Sequence, residues 1–100
     1  MHSGIREKIE EVRKLCQLHQ VDALSLFGST ATGENHEKSD IDFLVRFSSN
    51  IPLLDRADHY FEFHDALTQL LKRNIDLVVE KSIKNPVLKE EIERTKVVLA

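Results

Sequence analysis

From Ile5 onward the apolar residues Ile5, Ile9, Val12, Leu15 and Cys16 recur at helical spacing, with charged residues between them. That period predicts an amphipathic helix over about residues 4–18. The pattern then shortens to compact apolar runs. Ala23-Leu24-Ser25-Leu26-Phe27 predicts a strand over about 22–27 that ends at Gly28. A short helical turn stopping near Gly33 and an exposed loop to Ser39 follow, and a second strand covers about 40–47. Pro52 suits a helix start, and between Leu53 and Lys72 the apolar residues Leu53, Leu54, Ala57, Phe61, Leu67, Leu70 and Leu71, with His64 among them, mark one face of a long helix, with Asn74 as its C-terminal stop. Ile75-Asp76-Leu77-Val78-Val79 predicts a third strand, whose alternation separates Asp76 and Val78 from the other three residues. Asn85-Pro86 caps a helix over about 86–95, and Lys96 to Ala100 closes the sheet as an edge strand. The whole is an α/β (α+β) domain, helices around a small mixed sheet, with residues 1–100 forming one unit.

Composition narrows the function classes. With 41% hydrophobic and 31% charged residues, three Gly and two Pro, the chain is ordinary for a globular protein and unlike a disordered one. The net charge of −3 argues against a basic face for direct nucleic-acid binding. Cys16 is the only cysteine, so an internal disulfide and a cysteine zinc site are both excluded, and its place among apolar positions marks it as a buried thiol. Neither a secretory apolar core nor a run of transmembrane length is present, which makes the cytoplasm the default compartment and leaves no membrane partner.

The chemistry-bearing residues sit where strands end. Gly28-Ser29 follows the first strand, and ten residues later comes Asp40-Ile41-Asp42. Four such fixed positions coincide by chance in roughly one 100-residue chain per thousand. Gly28 lets backbone approach a ligand closely, and Ser29 offers a hydroxyl and an N–H suited to anions. Asp40 and Asp42, two apart, project from one strand face. Asp76 adds a third carboxylate on a neighbouring strand; its plain alternative is a strand-end Asp paired with a nearby Lys or Arg. Like charges this close oppose their mutual ionisation, and Mg²⁺, which takes few carboxylates and completes its shell with waters and substrate phosphates, relieves that. A two-metal nucleotidyl transfer suits the set. The five histidines lack ligand spacing, and Tyr60, Phe61 and Phe63 read as core or interface residues.

Gly28-Ser29, Asp40-x-Asp42 and the later Asp76 resemble the DNA polymerase beta-like nucleotidyltransferase superfamily, and nearly the whole chain is similar to the minimal nucleotidyltransferase (MNT) antitoxins of HEPN/MNT toxin–antitoxin pairs. The resemblance implies a nucleotidyltransferase-like fold and Mg²⁺-dependent transfer of AMP from ATP to a tyrosine of a HEPN-domain ribonuclease toxin. By position it implies that Gly28 and Ser29 hold the β- and γ-phosphates, that Asp40 and Asp42 bind two Mg²⁺ ions with Asp76 as a further metal residue, and that Asp76 helps activate the acceptor hydroxyl. It leaves homo- or hetero-oligomerisation open.

One position departs from the family. Members often read Gly-Ser-x-Ala-Arg-Gly, whereas here Thr32 stands where the Arg would be and supplies no cation to phosphate. Weaker triphosphate binding, compensation by Lys38 or Arg46, and retained binding without turnover are all open on that ground, though the intact acid triad argues against complete loss. Two further function classes therefore stand beside the transferase antitoxin: an antitoxin that neutralises by binding alone, and a nucleotidyltransferase acting on a small-molecule acceptor.

Overall fold

The computed structural model describes residues 3–28 and 40–100. The turn and loop expected over 29–39, with Ser29, Thr32 and Lys38, lie outside the described residues. The chain opens with α1 (Ser3–Glu7) and α2 (Ile9–Leu18), then β1 (Val21–Leu26) and β2 (Ile41–Phe47). A 3₁₀ turn (Leu53–Asp55) leads into α3 (Arg56–Leu71) and β3 (Ile75–Val79), and a second 3₁₀ turn (Glu80–Ser82) precedes α4 (Pro86–Thr95) and β4 (Val97–Val98). The strands form one mixed sheet in the order β3-β2-β1-β4, with β2 and β3 parallel and β1 antiparallel to both its neighbours. This is the small α+β sheet that the pattern predicts. Among the described residues no helix is long and apolar enough to cross a membrane.

Strand alternation divides the sheet into two faces. Leu24 and Leu26 of β1, Ile41, Phe43 and Val45 of β2, and Ile75 and Leu77 of β3 join one buried cluster with Val12 and Cys16 of α2 and Phe63 and Leu67 of α3. Burial within that cluster pushes the Cys16 thiol up to about 11, so it stays protonated and serves packing. The opposite face carries Ser25, Asp42, Leu44 and Asp76.

Three local departures from the pattern have physical causes. The first helix is broken at Lys8, whose φ of −113° and ψ of 17° leave the helical region. Its Nζ donates to the Leu70 carbonyl at 2.8 Å, so a cation from the N-terminal segment meets the unsatisfied end of α3. Second, Leu53, Leu54, Ala57 and Phe61 are exposed, and the buried stripe of α3 is instead Phe63 and Leu67, flanked by Tyr60, Leu70 and Leu71. The sequence carries two apolar stripes here, and a single helical face cannot contain both.

Third, α3 stops at Lys72 and not at Asn74. Lys72 takes the left-handed conformation (φ 55°, ψ 39°) and its N–H returns to the Thr68 carbonyl. Asn74 serves the sheet, its carbonyl accepting from Ile41 N at 3.0 Å. A β-carbon costs energy in that left-handed cap, so Lys72→Gly is expected to stabilise the fold by about 0.5–1 kcal/mol after the extra unfolded-state entropy of glycine is deducted. Urea unfolding reads this as a raised midpoint with an unchanged slope; an unmoved or lowered midpoint counts against it.

At the start of α4 the structure follows the sequence closely. Asn85 Oδ1 accepts from the N–H groups of Val87 (3.0 Å) and Leu88 (3.4 Å), with Pro86 in the first turn.

Candidate active site

The topology delivers the acidic residues to one end of the sheet. Because β1 runs antiparallel to β2, its end meets the beginning of β2; because β3 is parallel to β2, the two strands begin side by side. Asp42 and Asp76 are direct register partners across the β2–β3 ladder, so their side chains leave the same face of strands about 4.8 Å apart. Asp40 immediately precedes β2, and Phe27 N donates to the Asp42 carbonyl at 3.1 Å, which brings the end of β1 onto the same spot. The next residue, Gly28, has φ +61°, and a β-carbon there would lie 2.9 Å from Asp42 Oδ2. Glycine at this position both permits the backbone turn and leaves room for the carboxylate.

The electrostatics agree with the geometry. Burial raises the Asp42 carboxyl above the ordinary carboxylate value, and the negative charges of Asp76 and then Asp40 push it the same way. All three predicted acids therefore act on one locus. Among the described residues no three acidic, imidazole or thiol side chains close tightly enough to hold a metal ion unaided. A pair of hard carboxylate donors, destabilised by each other, fits Mg²⁺ that draws its remaining ligands from water and phosphate, and does not fit a metal needing a full protein cage.

The sequence reading missed how Asp76 is held. β3 is an edge strand, and with Ile41 N bonded to Asn74 O the parallel ladder turns the carbonyls of residues 75, 77 and 79 outward. Each of these has a side-chain partner: a ring nitrogen of His64 on Ile75 O at 2.8 Å, the Tyr60 hydroxyl on Leu77 O, and Ser82 Oγ on Val79 O at 2.7 Å. The match between α3 and β3 is one of repeat lengths. Four helical residues rise about 6 Å and two strand residues about 6.6 Å, so Tyr60 and His64 fall opposite Leu77 and Ile75 and clamp the backbone on both sides of Asp76. Burial first, and Asp76 second, raise the Tyr60 hydroxyl above its usual value, which keeps it a donor. The i, i+4 pairing of a Tyr and a His on the helix preceding an edge strand is the signal that could have found the clamp.

Arg46 does not join the acids. It shares a face with Asp42 but lies four residues, about 13 Å, further along the strand. There it lines a cleft of about 60 Å³ with Ser48, Ser49, Arg56, Glu80 and Lys81 at the opposite end of β2 and β3. Arg46 therefore stands apart from the acidic cluster.

Residues 6–99 match the family model described as the nucleotidyltransferase domain. The chain belongs to this family. The nucleotidyltransferase is 38% identical over 92 residues to a candidate protein adenylyltransferase of Methanocaldococcus jannaschii, a match covering 91% of this chain and 90% of that protein. Among solved structures it is similar to a candidate minimal nucleotidyltransferase, at 36% identity and a TM-score of 0.75, over 93% of this chain and 90% of the other. It is also similar to a chain of a toxin–antitoxin complex solved with AMP-PNP, at 26% identity and a TM-score of 0.68, over 92% of this nucleotidyltransferase and 72% of that chain. The nucleotidyltransferase is thus an enzyme.

Proposed function

We propose that this nucleotidyltransferase is the antitoxin of a toxin–antitoxin pair and transfers AMP from ATP to a tyrosine of a HEPN-domain toxin. The observation that carries the reading is the register pairing of Asp42 with Asp76 beside Gly28, an arrangement that concentrates negative charge where a cation and phosphates are needed. The AMP-PNP of the similar toxin–antitoxin complex is an analogue of ATP and supports both the nucleotide and the setting. The adenylyltransferase name of the M. jannaschii relative supports a protein acceptor.

In this reading Asp40 and Asp42 hold Mg²⁺, and Gly28 with Ser29 receives the β- and γ-phosphates. Bound Mg²⁺ supplies charge neutralisation for the triphosphate and for the departing pyrophosphate. The acceptor oxygen bonds to the α-phosphorus, the bond from that phosphorus to the bridging α–β oxygen breaks, and pyrophosphate leaves. Asp76, held by its backbone between Tyr60 and His64, takes the proton of the acceptor hydroxyl. Thr32 in place of an Arg favours a second reading, in which the chain neutralises the toxin by covering it.

Intact-mass measurement of the HEPN-domain protein after incubation with this chain, ATP and Mg²⁺ separates the two. AMP-sized additions that require Asp42 are expected. A partner that is inhibited in a stable complex yet remains unmodified would establish occlusion instead.

A further inference from the structure

The 3₁₀ turn at Leu53–Asp55 and the first turns of α3 carry an apolar ridge that the fold leaves outside its core. Leu53, Leu54 and Phe61 are 75%, 92% and 65% exposed, and Ala57 between them is exposed as well. Ala57 and Phe61 stand one turn apart on α3, and Leu53 and Leu54, in the 3₁₀ turn that leads into it, precede Ala57 by four and three residues. At 100° per residue the Ala57–Phe61 line lies next to the Tyr60–His64 side and turns away from the Phe63–Leu67 core stripe. The line beyond it is acidic, formed by Asp58, Glu62 and Asp65, all exposed. Four neighbouring large or small apolar residues exposed on a protein of net charge −3, rimmed on one side by carboxylates, are the composition of a recognition surface.

Two observations say what covers it. The first is charge: the carboxylate row selects an apolar partner surface bordered by Lys or Arg. An antiparallel pairing of two copies of the ridge would put the carboxylate rows on the same side, where they repel. The second is continuity with the acidic site. The Phe61 ring meets Tyr60 edge-on at 5.3 Å between centroids, and the Tyr60 hydroxyl holds the Leu77 carbonyl beside Asp76. The ridge therefore borders the edge strand that carries Asp76, the acid assigned above to the acceptor hydroxyl.

We infer that the Leu53–Leu54–Ala57–Phe61 ridge is the docking surface for the protein acceptor, engaging an apolar ridge of that protein bordered by Lys or Arg. This rests on the protein-transferase reading and names the surface that holds its substrate. Docking and chemistry then use different residues. The ridge sets how often the acceptor is captured, and the acids set how fast it is modified once there.

The test uses the HEPN-domain acceptor of the mass experiment at graded concentrations, with two variants of the full chain. One is the apolar pair Leu54→Asp with Phe61→Asp, and the other is the charge reversal Asp58→Lys with Glu62→Lys; circular dichroism and thermal melts confirm that each folds like the parent. In the apolar pair, KM for the acceptor is expected to rise about tenfold or more with kcat held within about twofold. In the charge reversal, association slows and the parent's salt dependence of association weakens. KM unchanged in both variants overturns the inference. So does self-association of the parent that the Leu54→Asp and Phe61→Asp pair abolishes, because the ridge would then belong to a second copy of this chain. Failure of the transferase reading looks different: the parent leaves the acceptor unmodified, while sedimentation still reports whether the ridge variants weaken the complex.

Discussion

Asp42→Asn is expected to lower nucleotidyl transfer by about a thousandfold or more, and to make the metal-free protein more stable than the parent. The first effect follows from losing a charged donor at the centre of the acid cluster, where a neutral amide oxygen holds Mg²⁺ more weakly than a carboxylate does. The second follows from the direction of the Asp42 shift. Burial, Asp76 and Asp40 all raise its folded-state pKa, so ionisation of Asp42 opposes folding. Its favourable contribution is complete below the unfolded carboxylate pKa and is lost as pH rises through the higher folded value. Thermal melts of the two proteins should therefore coincide in acid and separate as the pH passes upward through the raised Asp42 value, the Asn variant melting higher at neutral pH. Added Mg²⁺ should raise the parent's Tm and leave the variant's nearly unmoved. Equal melting across the whole pH range, or transfer at the parental rate, would remove Asp42 from the centre of the site.

Gly28→Ala is expected to damage the site from the other side. Its φ of +61° places a β-carbon in the left-handed region, and that β-carbon would stand 2.9 Å from Asp42 Oδ2 and 3.7 Å from Asp42 Cγ. The backbone conformation costs about 1–2 kcal/mol, partly offset by the reduced entropy of the unfolded chain, for a net loss of about 1 kcal/mol. In a domain of this size that is a fall of about 4–8 °C in Tm. The steric part acts on the carboxylate, and a displacement of about 1 Å at a reacting centre costs about a hundredfold in rate. A double-mutant cycle separates the two parts. In an Asp42→Ala background the contact with Oδ2 is gone, so Gly28→Ala should there cost only its backbone share. A cost identical in both backgrounds would show that the Gly28–Asp42 contact carries no energy.

The end of the sheet that bears the acids was legible because its signals are local. The alternation of Ile75-Asp76-Leu77 and the spacing of Asp40 and Asp42 fix which face each side chain leaves, and the parallel β2–β3 pairing then sets Asp42 opposite Asp76. The bounds of β3 and α4 fell where pattern and cap chemistry put them, since Asn85-Pro86 satisfies the helix start with neighbouring atoms alone. The failures arose wherever a distant contact decided. The break at Lys8 comes with a bond to Leu70, sixty-two residues away, and no periodicity reports it. Which of the two apolar stripes of α3 enters the core depends on where β3 and α2 stand, so the exposure of Leu54 and Phe61 could not be read from spacing. The clamp of Tyr60 and His64 needed the knowledge that β3 is an edge.

That clamp also bears on how the molecule behaves in a crowded solution. An edge strand with free carbonyls invites other chains to zip onto it, and a short strand rich in β-branched and leucine residues, such as Ile75 to Val79, is the kind of segment from which fibrils grow. Here the outward acceptors are already spoken for by His64, Tyr60 and Ser82, and the strand at the far edge, β4, is only two residues long. The two side chains that steady one aspartate, together with Ser82, thus occupy the outward acceptors of this edge and make it a poorer template for indiscriminate growth.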